Sequence, residues 1–244
     1  MAPLEIIIPS TPHSPIPTMN PNLTEILYIL DRSGSMASLT ETAISSFNHF
    51  LREQAAQPGH ARLTLLLFDD LFESPIVSLP LPEITPLDTT VYTTRGSTAL
   101  LDAIGSGIDS LGKRLAALPE ADRPGTVIVA IFTDGEENAS THHTWATIDQ
   151  LIRHQTEHYN WHFLFLGANQ DAIATAARVG IQAGNSSTFH EDAHGLGATV
   201  ASVSRKMKSI RKSASAQPLD PEEQADLHAP LSTLVQEEDD KRRK

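Results

Sequence analysis

The sequence predicts an α/β protein with a doubly wound, mostly parallel sheet of six strands, one antiparallel edge strand and helices on both faces. Short apolar runs alternate along the chain with longer segments in which apolar residues recur every three or four positions. Such alternation is typical of parallel sheets that are covered by helices on both sides. With 40% hydrophobic and 20% charged residues in 244, the chain can bury a sizeable core.

Six segments are expected to form the strands. The runs at 26–30, 63–68 and 127–132 are almost wholly apolar, which indicates burial on both faces of a sheet. Residues 76–79 are flanked by prolines and suit an edge strand. Residues 163–166 form the fifth strand, and Ala183 opens a brief last one.

Helical periodicity predicts five helices, at residues 43–51, 99–118, 145–152, 171–179 and 196–212. The second is the most regular, since Leu101, Ile104, Ile108 and Leu111 lie on one face. In the last helix the apolar positions are spaced by four, three, four and three residues. Each predicted helix can therefore cover the sheet with an apolar face.

The chain is expected to divide into three parts. Residues 1–24 carry six prolines and predict a flexible lead. Residues 25–213 contain the alternating strands and helices of one domain. Residues 214–244 lose this periodicity, carry eight acidic and four basic residues, and predict a disordered polar tail.

The charge balance and the missing residue types disfavour several functions. Eighteen basic residues face thirty acidic ones, and the net charge of −12 disfavours binding to nucleic acid or to an anionic membrane. The absence of cysteine excludes disulfides, zinc–thiolate sites and thiol nucleophiles. No apolar run reaches the roughly 18 residues that a membrane span needs, and no basic residue precedes Arg32 to form a secretion leader. We therefore expect a cytoplasmic protein.

Side chains with oxygen atoms follow two of the predicted strands and precede the long predicted helix, all at one edge of the sheet. In open parallel sheets, ligands bind at the carboxyl ends of the strands, near the point where the strand order reverses. The candidate residues are Asp31, Ser33 and Ser35 after the first strand, Thr98 before the long helix, and Asp134 after the 127–132 strand. We expect these five side chains to converge.

This set of side chains predicts a metal site for a hard cation. Oxygen ligands without His or Cys select such an ion. Two carboxylates with several neutral hydroxyls suit Mg²⁺ better than Ca²⁺, and Mn²⁺ is a plausible substitute. Because hydroxyls add no charge, the ion stays electrophilic and keeps a position for an outside acidic ligand.

These segments resemble a von Willebrand factor type A (VWA) domain with a metal-ion-dependent adhesion site (MIDAS), of the stand-alone intracellular kind found in bacteria and phages. That family has Asp-x-Ser-x-Ser after its first strand, a Thr in a second loop, and an Asp, often followed by Gly, after a central strand. The resemblance covers residues 25–213 and includes the order of strands and helices. All five positions match, at Asp31, Ser33, Ser35, Thr98 and Asp134.

The resemblance implies a binding function rather than an enzymatic one. Ser33, Ser35 and Thr98 would contact Mg²⁺ directly or through one water. Asp31 and Asp134 would bind directly or through water, depending on the state of the site. A Glu or Asp of a protein partner would complete the octahedron. In some relatives the last helix shifts when the partner binds.

The resemblance also bears on the partner. Stand-alone relatives often work beside an ATPase, chaperone-like or stress-response machine, so a partner of this kind with an acidic residue is expected. Partner choice would depend on the loops around the metal, which are residues 36–40, 70–74, 92–97 and 135–144. Within the last of these, the acidic pair at 136–137 and the histidine pair at 142–143 are candidates for the rim.

Two other functions stay open. Asp31 could be the nucleophile of an Mg²⁺-dependent phosphohydrolase, although haloacid-dehalogenase-like phosphatases carry Asp-x-Asp and position 33 here is Ser. The metal could instead merely stabilise a structural assembly component. Serine catalysis lacks the G-x-S-x-G elbow, and no nucleotide-binding glycine motif is present.

Other polar clusters are expected to have ordinary roles. The basic segment at 205–212 predicts a solvated helix face, with docking of an acidic partner or of RNA as the alternative, although no interleaved aromatic residues support RNA. His154 and His158 lie four apart on a helix and suit a solvated face better than a zinc site. Asp69 and Asp70 predict a turn.

Overall fold

The computed structural model describes residues 19–168 and 172–244. The strands of these residues form one six-stranded sheet. In chain order they are β1 (Asn20–Asp31), β2 (His60–Phe68), β3 (Phe72–Pro80), β4 (Pro124–Thr133), β5 (His162–Ala168) and β6 (Ser186–Phe189). The α-helices are α1 (Thr40–Ala55), α2 (Leu100–Ala116), α3 (Trp145–Tyr159), α4 (Ala172–Arg178), α5 (Ala193–Ala214), α6 (Pro221–His228) and α7 (Leu231–Arg242).

The sheet order is β3-β2-β1-β4-β5-β6. All neighbours pair in parallel except β2 and β3, which pair antiparallel at one edge. The predicted fold class is therefore confirmed. The order reverses between β1 and β4, so the carboxyl ends of these two strands flank the crevice where such sheets bind ligands.

Two apolar layers cover the sheet. Successive side chains of β1 point to opposite faces, so that Ile26 and Tyr28 do not share a layer with Leu27. One layer contains α1 and α5, and Tyr28 stacks there on Phe132 of β4 with ring centroids 4.6 Å apart. The other contains α2, α3 and α4. This double coverage holds the strand ends in place. No helix among residues 19–168 and 172–244 is long and apolar enough to cross a bilayer.

The elements at the two ends of the sheet start at other residues than the sequence predicts. β1 begins at Asn20, with an irregular register between Asn20 and Thr24. Residues 20–24 of the expected lead therefore belong to the sheet. The rest of the proline-rich lead lies outside the described residues. Residues Ala183–Asn185 form a single 3-10 turn, and β6 begins at Ser186. The position of β6 was not predicted because its buried residues include Ser186 and Ser187, which do not form an apolar run.

The expected disordered tail is wrong for residues 221–242, which form α6 and α7. Asp220 caps α6 in a capping box with Glu223, and Pro221 occupies the first turn. Helix α7 packs on α5 and β6, and its Leu231 and Val235, which are 0% and 6% exposed, belong to the same apolar layer as α5. Few apolar residues carry this contact, which is why no clear periodicity reveals it.

The expected solvated face at 205–212 is also wrong, because it is the surface on which α6 and α7 pack. Arg205 contacts Asp226 at 2.6 Å and Glu238 at 2.8 Å. Lys206 donates to the carbonyls of Leu227 and Ala229. The acidic partner of this basic face therefore lies in the same chain.

Candidate metal centre

Three loops converge at the carboxyl ends of β1 and β4. The Gly34 N–H donates to the Gly96 carbonyl at 3.2 Å, and the Arg95 N–H donates to the Arg32 carbonyl at 2.8 Å. These backbone bonds join the loop after β1 to the loop before α2. Gly96 has a φ of +67°, and a side chain there would collide with the Asp70 carboxylate.

Asp31 is the last residue of β1 and is fully buried. Its Oδ1 accepts the Ser33 N–H at 2.7 Å, and its Oδ2 accepts the Thr133 hydroxyl at 2.6 Å. Both carboxylate oxygens are therefore held in one orientation, one by the loop after β1 and the other by the end of β4.

The two serines and Asp134 form a short chain of hydrogen bonds. The hydroxyls of Ser33 and Ser35 lie 3.0 Å apart, and Ser35 donates to Asp134 Oδ1 at 2.6 Å. Asp134 Oδ2 is buried and has no hydrogen-bond partner among the described residues. A buried carboxylate oxygen without a partner is costly, which suggests that a ligand belongs there.

Thr98 lies beside the same space. A Cβ placed on Gly135 would lie 2.7 Å from Thr98 Oγ1 and 3.5 Å from Ser35 Oγ, so both hydroxyls face this glycine. The side chain of Asn138 accepts the Thr98 N–H at 2.9 Å and positions the loop. All five residues that the sequence singled out are therefore brought together.

The two carboxylates of the candidate centre both have raised pKa values. Burial raises the pKa of Asp31, and the hydrogen bonds from Thr133 and Ser33 offset only part of that rise. Burial, together with the charges of Asp31 and Glu191, raises the pKa of Asp134 to about 6. A cation between the carboxylates would stabilise their charged forms and lower both pKa values.

The donor set fits a hard divalent cation. It offers two carboxylates and three hydroxyls, and no His or Cys side chain belongs to it. Among residues 19–168 and 172–244 there is no group of three or more His, Cys, Asp or Glu residues that could hold a metal. His154 and His158 are both exposed on α3, as expected for a solvated face, and their tilted rings lie with centroids 4.5 Å apart.

An ion-pair cluster next to the site was not predicted. Asp69 forms the expected turn by accepting the Leu71 N–H, but it is also fully buried and pairs with Arg95 at 2.6 Å. Arg32 Nε lies 3.4 Å from Asp69 Oδ2, an ion-pair contact without hydrogen-bond geometry, and Arg32 also pairs with Glu73. These residues come from the loops after β1 and β2, from β3 and from the loop before α2, so their proximity was not visible in the sequence.

Thr133 was expected to be a strand end, and its hydrogen bond to Asp31 was not predicted. The sequence carried no signal for this pairing beyond the position of Thr133 beside Asp134.

Glu137 accepts the N–H groups of Ser140 and Leu101 and so holds its own loop against the start of α2.

The histidine pair at 142–143 is anchored by Asp102 in the first turn of α2. The Asp102 carboxylate accepts the N–H groups of Thr141 and His143 at 2.7 Å each, and that of His142 at 3.0 Å. Burial raises the pKa of Asp102, but these hydrogen bonds outweigh it and bring the pKa to about 2. The loop after the candidate site is therefore tied to α2 by a charged group.

Replacing Asp102 by Asn should destabilise the protein in a pH-dependent way. Because the pKa of Asp102 is lower in the folded state, its stabilisation is present above the unfolded value near pH 4 and is lost as the pH falls towards 2. We expect Asp102→Asn to lower the free energy of unfolding by about 2 kcal/mol at pH 7 and by about half as much at pH 3. Urea unfolding at both pH values measures this.

The matched control is Asp109→Asn, on an exposed position of the same helix, which should leave the pH dependence unchanged. If Asp102→Asn lost the same stability at pH 3 as at pH 7, the role assigned to the charge of this carboxylate would be wrong.

Comparisons with known proteins bear on the fold. No protein-family model matches the sequence, and no curated protein matches it. Proximal thread matrix protein 1 from the mussel byssus matches over 79% of this chain and 46% of its own, at 14% identity and a TM-score of 0.51. Manganese-loaded TRAP protein from Plasmodium vivax matches over 70% of this chain and 69% of its own, at 14% identity and a TM-score of 0.50. A von Willebrand factor type A structure from Catenulispora acidiphila covers 77% of this chain and 42% of its own, at 16% identity and a TM-score of 0.49.

The sheet order and the single antiparallel edge strand are those of the Rossmann-like VWA fold, and the chain has this fold. At 14% identity the likeness to the mussel and Plasmodium proteins extends to the fold alone. The chain spans less than half the length of the mussel protein.

Proposed function

We propose that the chain is a protein-binding module in which a divalent cation, Mg²⁺ with Mn²⁺ as a substitute, bridges the domain to a carboxylate of a protein partner. The observation that carries the proposal is the buried, unpartnered Oδ2 of Asp134 within an all-oxygen donor set. A structure with a similar fold is loaded with manganese, which supports a divalent ion at such a site.

Each residue of the site has a distinct role in this proposal. Asp31 and Asp134 supply the two negative charges, while Ser33, Ser35 and Thr98 supply neutral oxygens. When bound, the cation supplies an electrophilic position for an oxygen of the partner. Thr133 and the Ser33 N–H hold Asp31 in place, and Gly135 leaves room for the Thr98 hydroxyl. The domain therefore presents a preformed site.

The surroundings of the site favour an acidic protein segment as the ligand. Arg95 is 45% exposed and lies in the loop that contacts Gly34. Its guanidinium pairs with Asp69 and Glu73 and so offsets two negative charges that would repel an acidic ligand. Leu71 is 59% exposed in the turn after β2 and offers an apolar contact. A partner with an acidic residue next to an apolar one fits this edge, and an ATPase or chaperone-like machine is the expected kind of protein.

The geometry does not favour the phosphohydrolase alternative. A nucleophilic Asp needs an accessible oxygen that can reach the phosphorus of a substrate. Asp31 is 0% exposed, and each of its oxygens already accepts a hydrogen bond. We therefore propose a binding function without catalysis.

Affinity capture in the presence and absence of the cation tests the proposal. Partners captured by the immobilised chain in Mg²⁺ should be lost in EDTA and should return when Mg²⁺ or Mn²⁺ is restored. Thr98→Ala should lose the same partners, because it removes one neutral ligand and leaves the carboxylates in place. Thr90→Ala, an exposed threonine of the same connection, is the matched control and should keep them.

Two results would contradict the proposal. Identical partners in Mg²⁺ and in EDTA would show that binding does not need a cation. Partners that are lost in EDTA but kept by a folded Thr98→Ala variant would place the required cation elsewhere.

A further inference from the structure

A groove opens between α2 and α3 at the end of the sheet opposite to the candidate metal centre. It has a volume of about 400 Å³ and lies between the second halves of these two helices and the starts of β4 and β5. Its polar lining residues come from α3 and from the loop before β4. Most of the lining is apolar and includes Met19, Leu115, Val127, Tyr159 and Trp161.

The groove leaves large apolar side chains open to water. Tyr159 is 59% exposed and Met19 is 48% exposed, and both lie in its wall. Val127 and Trp161, which also line it, belong to the apolar layer that α2 and α3 form on the sheet. The groove therefore continues the core of the protein to the surface. Exposed apolar surface of this kind is typical of an interaction site.

The described part of the chain begins in the wall of this groove, at Met19. The next residue is held against the start of β4, since the Asn20 N–H donates to the Arg123 carbonyl at 2.8 Å. Gly125 allows this approach, because a Cβ there would lie 2.8 Å from the Asn20 carbonyl oxygen. Residues 1–18 are therefore attached to the domain at the groove itself.

Residues 1–18 contain the apolar side chains that suit such a groove. Four of them stand within five positions: Leu4, Ile6, Ile7 and Ile8. Ten residues, 9–18, connect this cluster to Met19, and four of these ten are proline. An extended proline-rich segment spans about 3 Å per residue, so the cluster can reach the whole groove. Because the two parts are joined by a short tether, docking is intramolecular and needs little intrinsic affinity.

We propose that residues 4–8 dock in the groove between α2 and α3, where their apolar side chains cover Tyr159 and Trp161. An apolar cavity of roughly 150 Å³ accepts a benzene ring, so a groove of about 400 Å³ has room for about two or three isoleucine side chains. Removal of these side chains and of the exposed wall from water provides the driving force. The docking uses no residue of the metal centre and does not depend on its function.

Paramagnetic relaxation, measured by NMR on the full chain, tests the proposal. Because the chain has no cysteine, Ser10→Cys provides a single site for a nitroxide label two residues after the apolar cluster. The amide signals of Gly112 and Gln155, which line the groove on α2 and α3, should lose most of their intensity and regain it when the label is reduced. The signal of Val77 on the edge strand β3 should keep its intensity.

Variants separate docking from the effect of the tether alone. In the labelled chain, Ile6→Ser, Ile7→Ser and Ile8→Ser together should restore both signals, because the tether is unchanged while the apolar contact is lost. Gly112→Leu fills the groove and should restore the Gln155 signal. Lys113→Leu, at the next and exposed position of α2, is the matched control and should leave that signal weakened.

Four results would overturn the proposal. Full intensity of the Gly112 and Gln155 signals in the labelled chain would show that the cluster does not dock. An equal loss in the triple serine variant would show that the tether alone brings the label close. A loss at Val77 instead would place the cluster on the edge of the sheet. A loss in a mixture of labelled chain with unlabelled, isotope-enriched chain would place the cluster in the groove of a second copy.

Discussion

In EDTA the Asp134→Asn variant is expected to unfold at the wild-type temperature or above it, and in Mg²⁺ it should fail to gain the stability that the wild type gains. The neutral side chain relieves the repulsion from Asp31 and Glu191, and it removes a buried charge that has an unpartnered oxygen. The same change takes away one of the two charges that attract the cation. In EDTA the variant should therefore be at least as stable as the wild type, and in Mg²⁺ it should be less stable.

The size of the reversal follows from mass action. At a Mg²⁺ concentration about 100-fold above its dissociation constant, binding to the folded state alone stabilises by about 3 kcal/mol. For a chain of this size that corresponds to a rise of about 5–10 °C in the midpoint. Differential scanning fluorimetry in EDTA, Mg²⁺ and Mn²⁺ measures it.

Asp122→Asn is the matched control, since it removes an exposed carboxylate just before the start of β4, at the end of the strand opposite to the site, and should respond to Mg²⁺ like the wild type. A wild-type chain that shows no response to Mg²⁺ or Mn²⁺ would argue against the metal site. A full response in Asp134→Asn would remove this residue from it.

Loss of the α7 contact is the second large effect. Leu231 is 0% exposed and packs in the same apolar layer as α5, so Leu231→Ala leaves a cavity in that layer. We expect the free energy of unfolding to fall by about 2–5 kcal/mol, which is the range for such truncations in a packed core. Equilibrium unfolding in urea measures it.

Thr233→Ala changes an exposed residue of the same helix and should alter stability by less than about 0.5 kcal/mol. The comparison separates packing from helix propensity. If Leu231→Ala and Thr233→Ala were equally stable, α7 would not be packed on α5 in solution, and the expectation of a disordered tail would stand after all.

The charged contacts of the C-terminal helices are expected to matter less than the apolar ones. Arg205 joins acidic groups of α6 and α7, and most of these groups keep partial access to water. Ion pairs of this kind are screened by solvent and contribute modestly. The contacts do, however, explain why a basic segment on α5 faces an acidic stretch near the end of the chain.

The convergence of the five candidate ligands could be predicted because sequence order and sheet topology are linked. Residues directly after parallel strands must lie at one edge of a sheet, and a helix that follows a neighbouring loop starts at that edge. Asp31 and Asp134 were therefore assigned to the same region although more than a hundred residues separate them. The hydrogen bond from Thr133 to Asp31 needed side-chain directions that no pattern supplies.

The C-terminal helices show where periodicity fails. Leu231, Leu234 and Val235 are the buried apolar residues of α7, and the rest of that helix is largely charged. The helix is held by its docking on α5 rather than by a long apolar stripe of its own. Its polar sequence alone predicts a disordered tail, because the surface of α5 on which it packs is not visible in the sequence of α7.

The sequence by itself determined the class of fold, which polar residues follow which strands, and the chemistry of the candidate site. These features depend on local patterns and on the identity of side chains. The tertiary structure decided which charges meet. It paired Asp69 with Arg32 and Arg95, and it gave the basic face of α5 a partner within the chain. Such pairings depend on the packing of elements that are distant in sequence, and long-range packing leaves no periodic signal in the residues that it brings together.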